Sequence, residues 1–218
     1  MPAGYRKVSD LPPLIPVFPL DGALLLPGCQ LPLQIFEPRY LNMVDDAMRG
    51  SRLIGMIQTV AGGERARPNL AGVGCVGRVT AYAETGDGRY MITLTGVCRF
   101  AAGEELVIDT PYRQLRPEYA PFAADLEAEE APVVLDRAAF LGVLRRYLDH
   151  KGLAVEWDAA RQAPAGALVN SLAAGLPLDP AEKQALLEAE TLADRARVLT
   201  ALLEIDAAAD DDEPPPLQ

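Results

Sequence analysis

Hydrophobic residues change their spacing partway along the chain. From Leu14 to about Glu118 they come as short apolar runs broken by glycine and proline; from about Ala131 to Ile205 they follow a helical period with almost no β-branched runs. The first regime predicts strands at Leu14–Phe18, Leu31–Phe36, Leu53–Val60, Val73–Ala83, Arg89–Thr95 and Tyr112–Pro117. Pro16 and Pro32 cannot donate to a ladder, which predicts edge or bulged positions for the first two. Tyr90, Ile92 and Leu94 alternate with Met91, Thr93 and Thr95, as expected for a strand with one buried face. Thr85-Gly86-Asp87-Gly88 between two such runs predicts a hairpin, because Asp and Gly tolerate the positive φ of tight turns. One helix interrupts this region. Pro38 suits a first helical turn, Leu41, Val44 and Met48 follow at helical spacing, and Gly50 is the expected left-handed stop. Many short strands and tight turns point to a barrel, with this helix at one end.

The second regime predicts a helical bundle. Phe140, Leu141, Leu144, Tyr147 and Leu148 form a stripe on a helix from Asp136 to Gly152. A second helix is expected from Ala165 to Ala174, before Gly175 and Pro177. Asp179-Pro180-Ala181-Glu182 and Thr191-Leu192-Ala193-Asp194 both read as N-terminal caps. The second cap opens a helix with Leu192, Leu199 and Leu203 on one face. Between the regimes, Ala120-Pro121 to Ala131-Pro132 is acidic and alanine-rich and reads as a linker. The expected fold is α+β, with a β subdomain at 12–120 and a helical subdomain at 131–206. The Asp- and Pro-rich tail at 207–218 is expected to be disordered.

Charge narrows the function classes. The 218 residues carry a net charge of −11 from 31 acids and 20 bases. Asp206, Asp210, Asp211, Asp212 and Glu213 supply five of those acids, which leaves −6 for the body. No basic run is longer than Arg145-Arg146, so nucleic acid is not an expected ligand. Cys29, Cys75 and Cys98 are far apart and form no C-x-x-C, and His150 is the only histidine. This pattern predicts reduced, packed thiols and no metal site. No cofactor motif is found. With no basic-then-apolar leader and no 18-residue apolar run, neither secretion nor a membrane is expected, and a cytoplasmic location is.

Three stretches carry a family resemblance. The first is Ile15-Pro16-Val17-Phe18-Pro19-Leu20, then Leu26-Pro27-Gly28, then Leu31-Pro32-Leu33-Gln34-Ile35-Phe36-Glu37-Pro38-Arg39-Tyr40. The second is Gly74-Cys75-Val76-Gly77-Arg78-Val79 with Gly86 to Tyr90 and Leu94 to Phe100. The third is Leu176-Pro177-Leu178 followed by Glu182 to Glu188. Together, over residues 12 to 206, they resemble the N-terminal, substrate-binding domain of Lon proteases, in the form of a free-standing bacterial member. The resemblance implies a PUA-like β pseudo-barrel with one inserted helix, followed by a helical bundle. It also implies a binding module for unfolded or peptide segments of client proteins, linked to a protease or other proteolytic machine. RNA binding is the alternative, on fold analogy with PUA domains alone.

The family transfers no catalytic residue to this region. The chain has no G-x-x-x-x-G-K-[ST] phosphate loop, and its only serines are Ser9, Ser51 and Ser171 beside Lys7, Lys151 and Lys183. Nothing local suggests a Ser–Lys dyad, so no enzyme is expected. The sharpest motif is Phe36-Glu37-Pro38-Arg39-Tyr40. In one reading Glu37 and Arg39 fix the corner between strand and helix while Tyr40 packs beneath. In the other, Arg39 and Asn42 at an exposed helix start, with Leu24 and Leu25 as an apolar wall, bind a peptide. His150 reads as a solvated residue at a helix end and Trp157 as a clamp within the bundle. Glu104 and Glu105 read as solvated neighbours on a strand.

Overall fold

The computed structural model describes residues 4–64, 67–127 and 135–208. They form two compact units. One comprises Met1–Glu129 with Leu178–Leu187, and the other Glu130–Pro177 with Glu188–Gln218.

The first unit is built on six strands: β1 (Ile15–Pro19), β2 (Gln30–Ile35), β3 (Leu53–Glu64), β4 (Arg67–Glu84), β5 (Tyr90–Glu105) and β6 (Arg113–Glu118). Their order is β2-β5-β4-β3-β1-β6, and β6 also pairs with β5, which closes the sheet. Closure depends on the length of β5. Its first half, Tyr90–Thr95, pairs with β2, and its last residues, Ala101–Glu105, pair with β6. Two short strands thus take successive stretches of one long strand, which makes a pseudo-barrel. The fold class is α+β, as expected.

The long β5 departs from the predicted end at Thr95. Val97, Cys98, Arg99 and Phe100 are all buried, so alternation is lost where the strand bends. A shift in register beside Gly96 marks that bend. The β3–β4 hairpin likewise runs on to Glu64 and Arg67, past the predicted ends. Pro32 lies on β2, which among the described residues pairs only with β5, as the edge reading requires. β1, by contrast, lies between β3 and β6; Pro16 is accommodated because the parallel pairing with β3 begins only at Val17. The turn at 85–88 forms as predicted, with the Thr85 amide donating to the Arg89 carbonyl at 2.8 Å and Gly88 at φ +78°.

Helix α1 (Pro38–Arg49) buries Tyr40, Met43, Val44 and Ala47, a face slightly rotated from the predicted one. Tyr40 lies 4.3 Å from the Phe18 ring, while Tyr90 and Tyr112 donate to Asp45 and Asp46. The helix does not stop on a left-handed Gly50, whose φ is −113°; Arg52 takes the positive φ instead and its amide returns to the Ala47 carbonyl. Residues Ala120–Leu126, read as linker, form a 3-10 helix belonging to this unit. Asp125 of that helix meets the buried Arg99, and Leu126 enters the core of Ile15, Val17, Leu53, Val76, Phe100 and Leu115.

The second unit contains α2 (Arg137–Lys151), α3 (Trp157–Gln162), α4 (Ala165–Gly175) and α6 (Leu192–Ala208). Asp136 caps α2 by accepting from the Ala139 amide, and Gly152 ends it at φ +62°. Thr191 and Asp194 exchange hydrogen bonds as a complete capping box for α6. Leu199 and Leu203 of α6 are buried, together with Arg195, which donates to Asn170 at 3.0 Å. Helix α6 continues to Ala208, so residues 207–208 are helical rather than part of the tail; 209–218 lie outside the described residues, as does most of the remaining predicted linker.

The remaining helix, α5 (Pro180–Glu188), departs from the predicted subdomain, because Leu178–Leu187 belongs to the sheet unit. The reason is polar as well as apolar. The buried Gln58 donates to the Pro180 carbonyl at 2.9 Å, Gln184 to the Val73 carbonyl at 3.1 Å, and Lys183 to the Gly22 carbonyl at 2.8 Å. Leu186 and Leu187 are buried beneath them.

Candidate functional site

The sheet unit contains a groove of about 400 Å³. Four segments line it: Pro19 ending β1, Arg39 and Tyr40 starting α1, Thr59 with Arg67 and Pro68 on the β3–β4 hairpin, and the stretch crossing from β5 to β6, where 105–108 and 110–113 face it and Asp109 does not. The last segment exposes apolar side chains that nothing in the unit covers. Val107 is 90% exposed and Ile108 42%. Scattered surface apolar residues need no explanation, but apolar side chains on the wall of a concave site form a contact surface.

The polar lining is dominated by arginine. Arg113 binds Glu105 through Nε at 2.7 Å and Nη2 at 2.6 Å, one to each carboxylate oxygen, and donates Nη1 to the Pro68 carbonyl at 2.6 Å. Arg67 adds a third contact to Glu105 at 2.7 Å. These hydrogen bonds, from Arg113 first and Arg67 after it, hold the Glu105 carboxyl below the usual glutamate range against the opposing effect of burial. Glu105 is therefore not a solvated carboxylate, although Glu104, which points the other way, is exposed. Arg39 stacks over the Tyr40 ring at 4.5 Å and pairs with Glu37 at 2.8 Å. Burial raises the Tyr40 phenol above its ordinary value and, with a hydrogen bond to Asp46, pushes Tyr112 up to about 12.

The residues singled out in sequence divide here. Arg39 lines the groove; Asn42 is exposed on α1 but outside the lining. Leu24 and Leu25 are only 3% and 2% exposed, so they are core rather than an apolar wall. Leu25 occupies the space where Gly77 has no side chain. The start of α1 also offers less than expected. The amides of Tyr40 and Leu41 already bond the Glu37 carbonyl, and Pro38 has none, so only the Arg39 amide of the first turn is left. Glu37 and Arg39 pair with each other at the corner and Tyr40 is buried, whereas Phe36 is 61% exposed. The wall at 105–113 was not foreseen; its signal was Leu106-Val107-Ile108, an apolar run outside any predicted strand.

Other candidates are structural in their surroundings. His150 is exposed near the end of α2 and sits near Asp206, which also pairs with Lys151 at 2.9 Å. Trp157 begins α3, with the Arg145 guanidinium 4.8 Å over its ring. Cys75 and Cys98 are buried and Cys29 half-buried; burial pushes Cys98 up to about 12. Among the described residues no cluster of His, Cys, Asp and Glu could hold a metal, and no helix is long and apolar enough to cross a membrane.

The first unit is a closed β barrel with an inserted helix and an open arginine-lined groove, and the second unit is helical. Residues 14–204 match the ATP-dependent protease La (LON) substrate-binding domain, and the chain belongs to that family. It is 28% identical over 208 residues to Lon protease 2 of Myxococcus xanthus and 29% identical over 201 residues to the Lon protease of Anaeromyxobacter dehalogenans. These alignments cover 93% and 89% of this chain but 25% and 23% of those proteins, so the chain spans about a quarter of their length. Among solved structures, a Lon N-terminal domain protein from Xanthomonas campestris matches with a TM-score of 0.62 and 25% identity, over 86% of this chain and 97% of that one. The N-terminal domain of a Mycobacterium avium complex Lon protease shares the fold, with a TM-score of 0.61 at 17% identity over 90% of this chain and 99% of that one.

Proposed function

We propose that this protein is a non-catalytic module that holds extended or unfolded segments of client proteins in the groove between Arg39 and the 105–113 segment, in the service of a proteolytic machine. The observation that carries this reading is Val107, an aliphatic side chain 90% exposed beside donors that can meet a backbone carbonyl. An unfolded segment offers the complement, apolar side chains together with unpaired backbone groups. Membership in a substrate-binding family supports the same reading. Of the four peptide-binding residues suggested by sequence, the reading keeps Arg39 and drops Leu24 and Leu25 for Val107 and Ile108. Asn42 becomes a control. RNA binding has no corresponding support, given a chain of net charge −11.

The test is anisotropy of fluorescein-labelled casein, with melts to verify folding. Burial of one aliphatic side chain contributes roughly 1.5–3 kcal/mol, so Val107→Asp is expected to weaken binding about tenfold or more. Arg39→Ala should weaken it by a smaller factor, and Asn42→Ala should leave it unchanged. Retention of casein by folded Val107→Asp at the original affinity refutes the groove. Casein cleavage or ATP hydrolysis by the purified protein refutes the non-catalytic part.

A further inference from the structure

The groove differs in charge from the protein around it. Among the described residues three arginines, Arg39, Arg67 and Arg113, line it with a single carboxylate, Glu105, while the exposed Asp109 lies outside the lining, on a chain whose net charge is −11. Glu37, just outside the lining, offsets Arg39, and Asp21 is turned to the Thr59 amide and hydroxyl. One guanidinium more than its carboxylate remains in the Arg67–Glu105–Arg113 cluster. The geometry says which one is available. Arg113 engages both oxygens of Glu105 and the Pro68 carbonyl and is 18% exposed. Arg67 is 50% exposed and gives Glu105 only one hydrogen bond, to an oxygen that Arg113 also serves. Arg67 can therefore turn to an incoming carboxylate without leaving Glu105 unpaired, and its other donors have no bond to protein among the described residues. Val107 and Ile108 line the same groove as this cation.

We infer that the groove selects internal segments in which an acidic side chain flanks a branched aliphatic one, Arg67 taking the carboxylate and Val107 and Ile108 the apolar side chain. The inference rests on the peptide-binding reading above and narrows it from unfolded chain in general to acidic–aliphatic chain. A concave site with low-dielectric walls focuses such a charge difference, so a modest local excess acts against the repulsion of the acidic body. The preference is also one that salt should weaken.

Three end-capped, fluorescein-labelled hexapeptides test it: Glu-Leu-Val-Leu-Glu-Gly and its versions with Gln or Lys in place of Glu. At low ionic strength the acidic probe should bind about tenfold more tightly than the Gln probe, a difference of roughly 1.4 kcal/mol, and the Lys probe most weakly. The margin should shrink as salt is added, and Arg67→Ala should remove most of it, weakening the acidic probe far more than the Gln probe. Glu105→Gln should tighten the acidic probe, a gain that misfolding cannot mimic. Equal binding of all three probes, an unchanged margin in Arg67→Ala, or no gain in Glu105→Gln overturns the inference. Tighter binding of an uncapped peptide whose only carboxylate is its C-terminus overturns it in favour of terminal capture. If charge selection fails while Val107→Asp still abolishes probe binding, the groove reading survives. If Val107→Asp changes nothing, the groove reading itself fails.

Discussion

A guanidinium removed from water has to be answered by acceptors placed around it, and Arg99 meets them on three sides. Its Nε and Nη2 donate to the two oxygens of Asp125 at 2.9 Å each, Nη1 donates to the Leu187 carbonyl at 3.1 Å, and its ring-facing side covers Phe122. Both partners of the ion pair are almost inaccessible. Such a pair adds little over an apolar replacement, but removing one member strands the other. Asp125→Asn is therefore expected to cost about 3 kcal/mol or more in urea denaturation. Arg99→Met combined with Asp125→Leu should cost distinctly less than the two single changes summed. Strict additivity of the two would mean that the pair is not coupled. This residue was hidden in sequence for a plain reason. Val97-Cys98-Arg99-Phe100 shows an arginine in an apolar run, and its partner lies in a stretch whose composition looks like linker. The same limit applies to Leu24 and Leu25, since three leucines in a loop look alike whether they fill a barrel or face a ligand.

At the level of elements, local signals were readable and non-local ones were not. Caps, the 85–88 turn and the glycine after α2 are set by neighbours within four residues, and Asp136, Thr191 with Asp194, Gly88 and Gly152 all do what their sequence contexts suggest. The full length of β5 depends on its pairing with β2, β4 and β6, and the allegiance of α5 on residues more than a hundred positions away. The cap at Asp179-Pro180-Ala181-Glu182 signalled that a helix would start there, but not that Gln58, Val73 and Gly22 would claim it. Gly96 shows how a single position sets such a long-range arrangement. It lies where β5 bends, its amide donates to the Cys29 carbonyl at 2.9 Å, and its carbonyl accepts from the Gly28 amide at 3.0 Å. A Cβ there would collide with the backbone carbonyl of Leu26, and backbone cannot rotate away as a side chain can. Gly96→Ala should therefore destabilise the sheet unit by about 3 kcal/mol, the upper range for forced overpacking. A melt showing a loss below about 0.5 kcal/mol, the scale of an ordinary surface change, would show that the loop at 26–29 simply moves aside.

For the molecule as a whole, the discontinuous sheet unit has a consequence that neither its strands nor its helices reveal singly. The barrel returns for α5 after the chain has passed through α2, α3 and α4, so no contiguous segment ending at residue 127 contains the complete unit. Cutting there removes the buried Leu186 and Leu187 and the acceptors that Gln58 and Arg99 use in α5. Two buried leucines contribute roughly 3–6 kcal/mol together, and the exposed amide and guanidinium groups are the smaller loss, because water can reach them. For a unit of this size each kcal/mol moves Tm by several degrees. A chain of residues 4–127 should thus melt on the order of 15 °C below one in which 4–127 is joined by a flexible glycine–serine linker to 178–188. It should also bind a hydrophobic dye that the joined chain does not. The comparison keeps the strands and groove identical and changes only α5. Equal melting temperatures would mean that α5 merely rests on a barrel already complete, and that the buried amide of Gln58 finds water as readily as the Pro180 carbonyl.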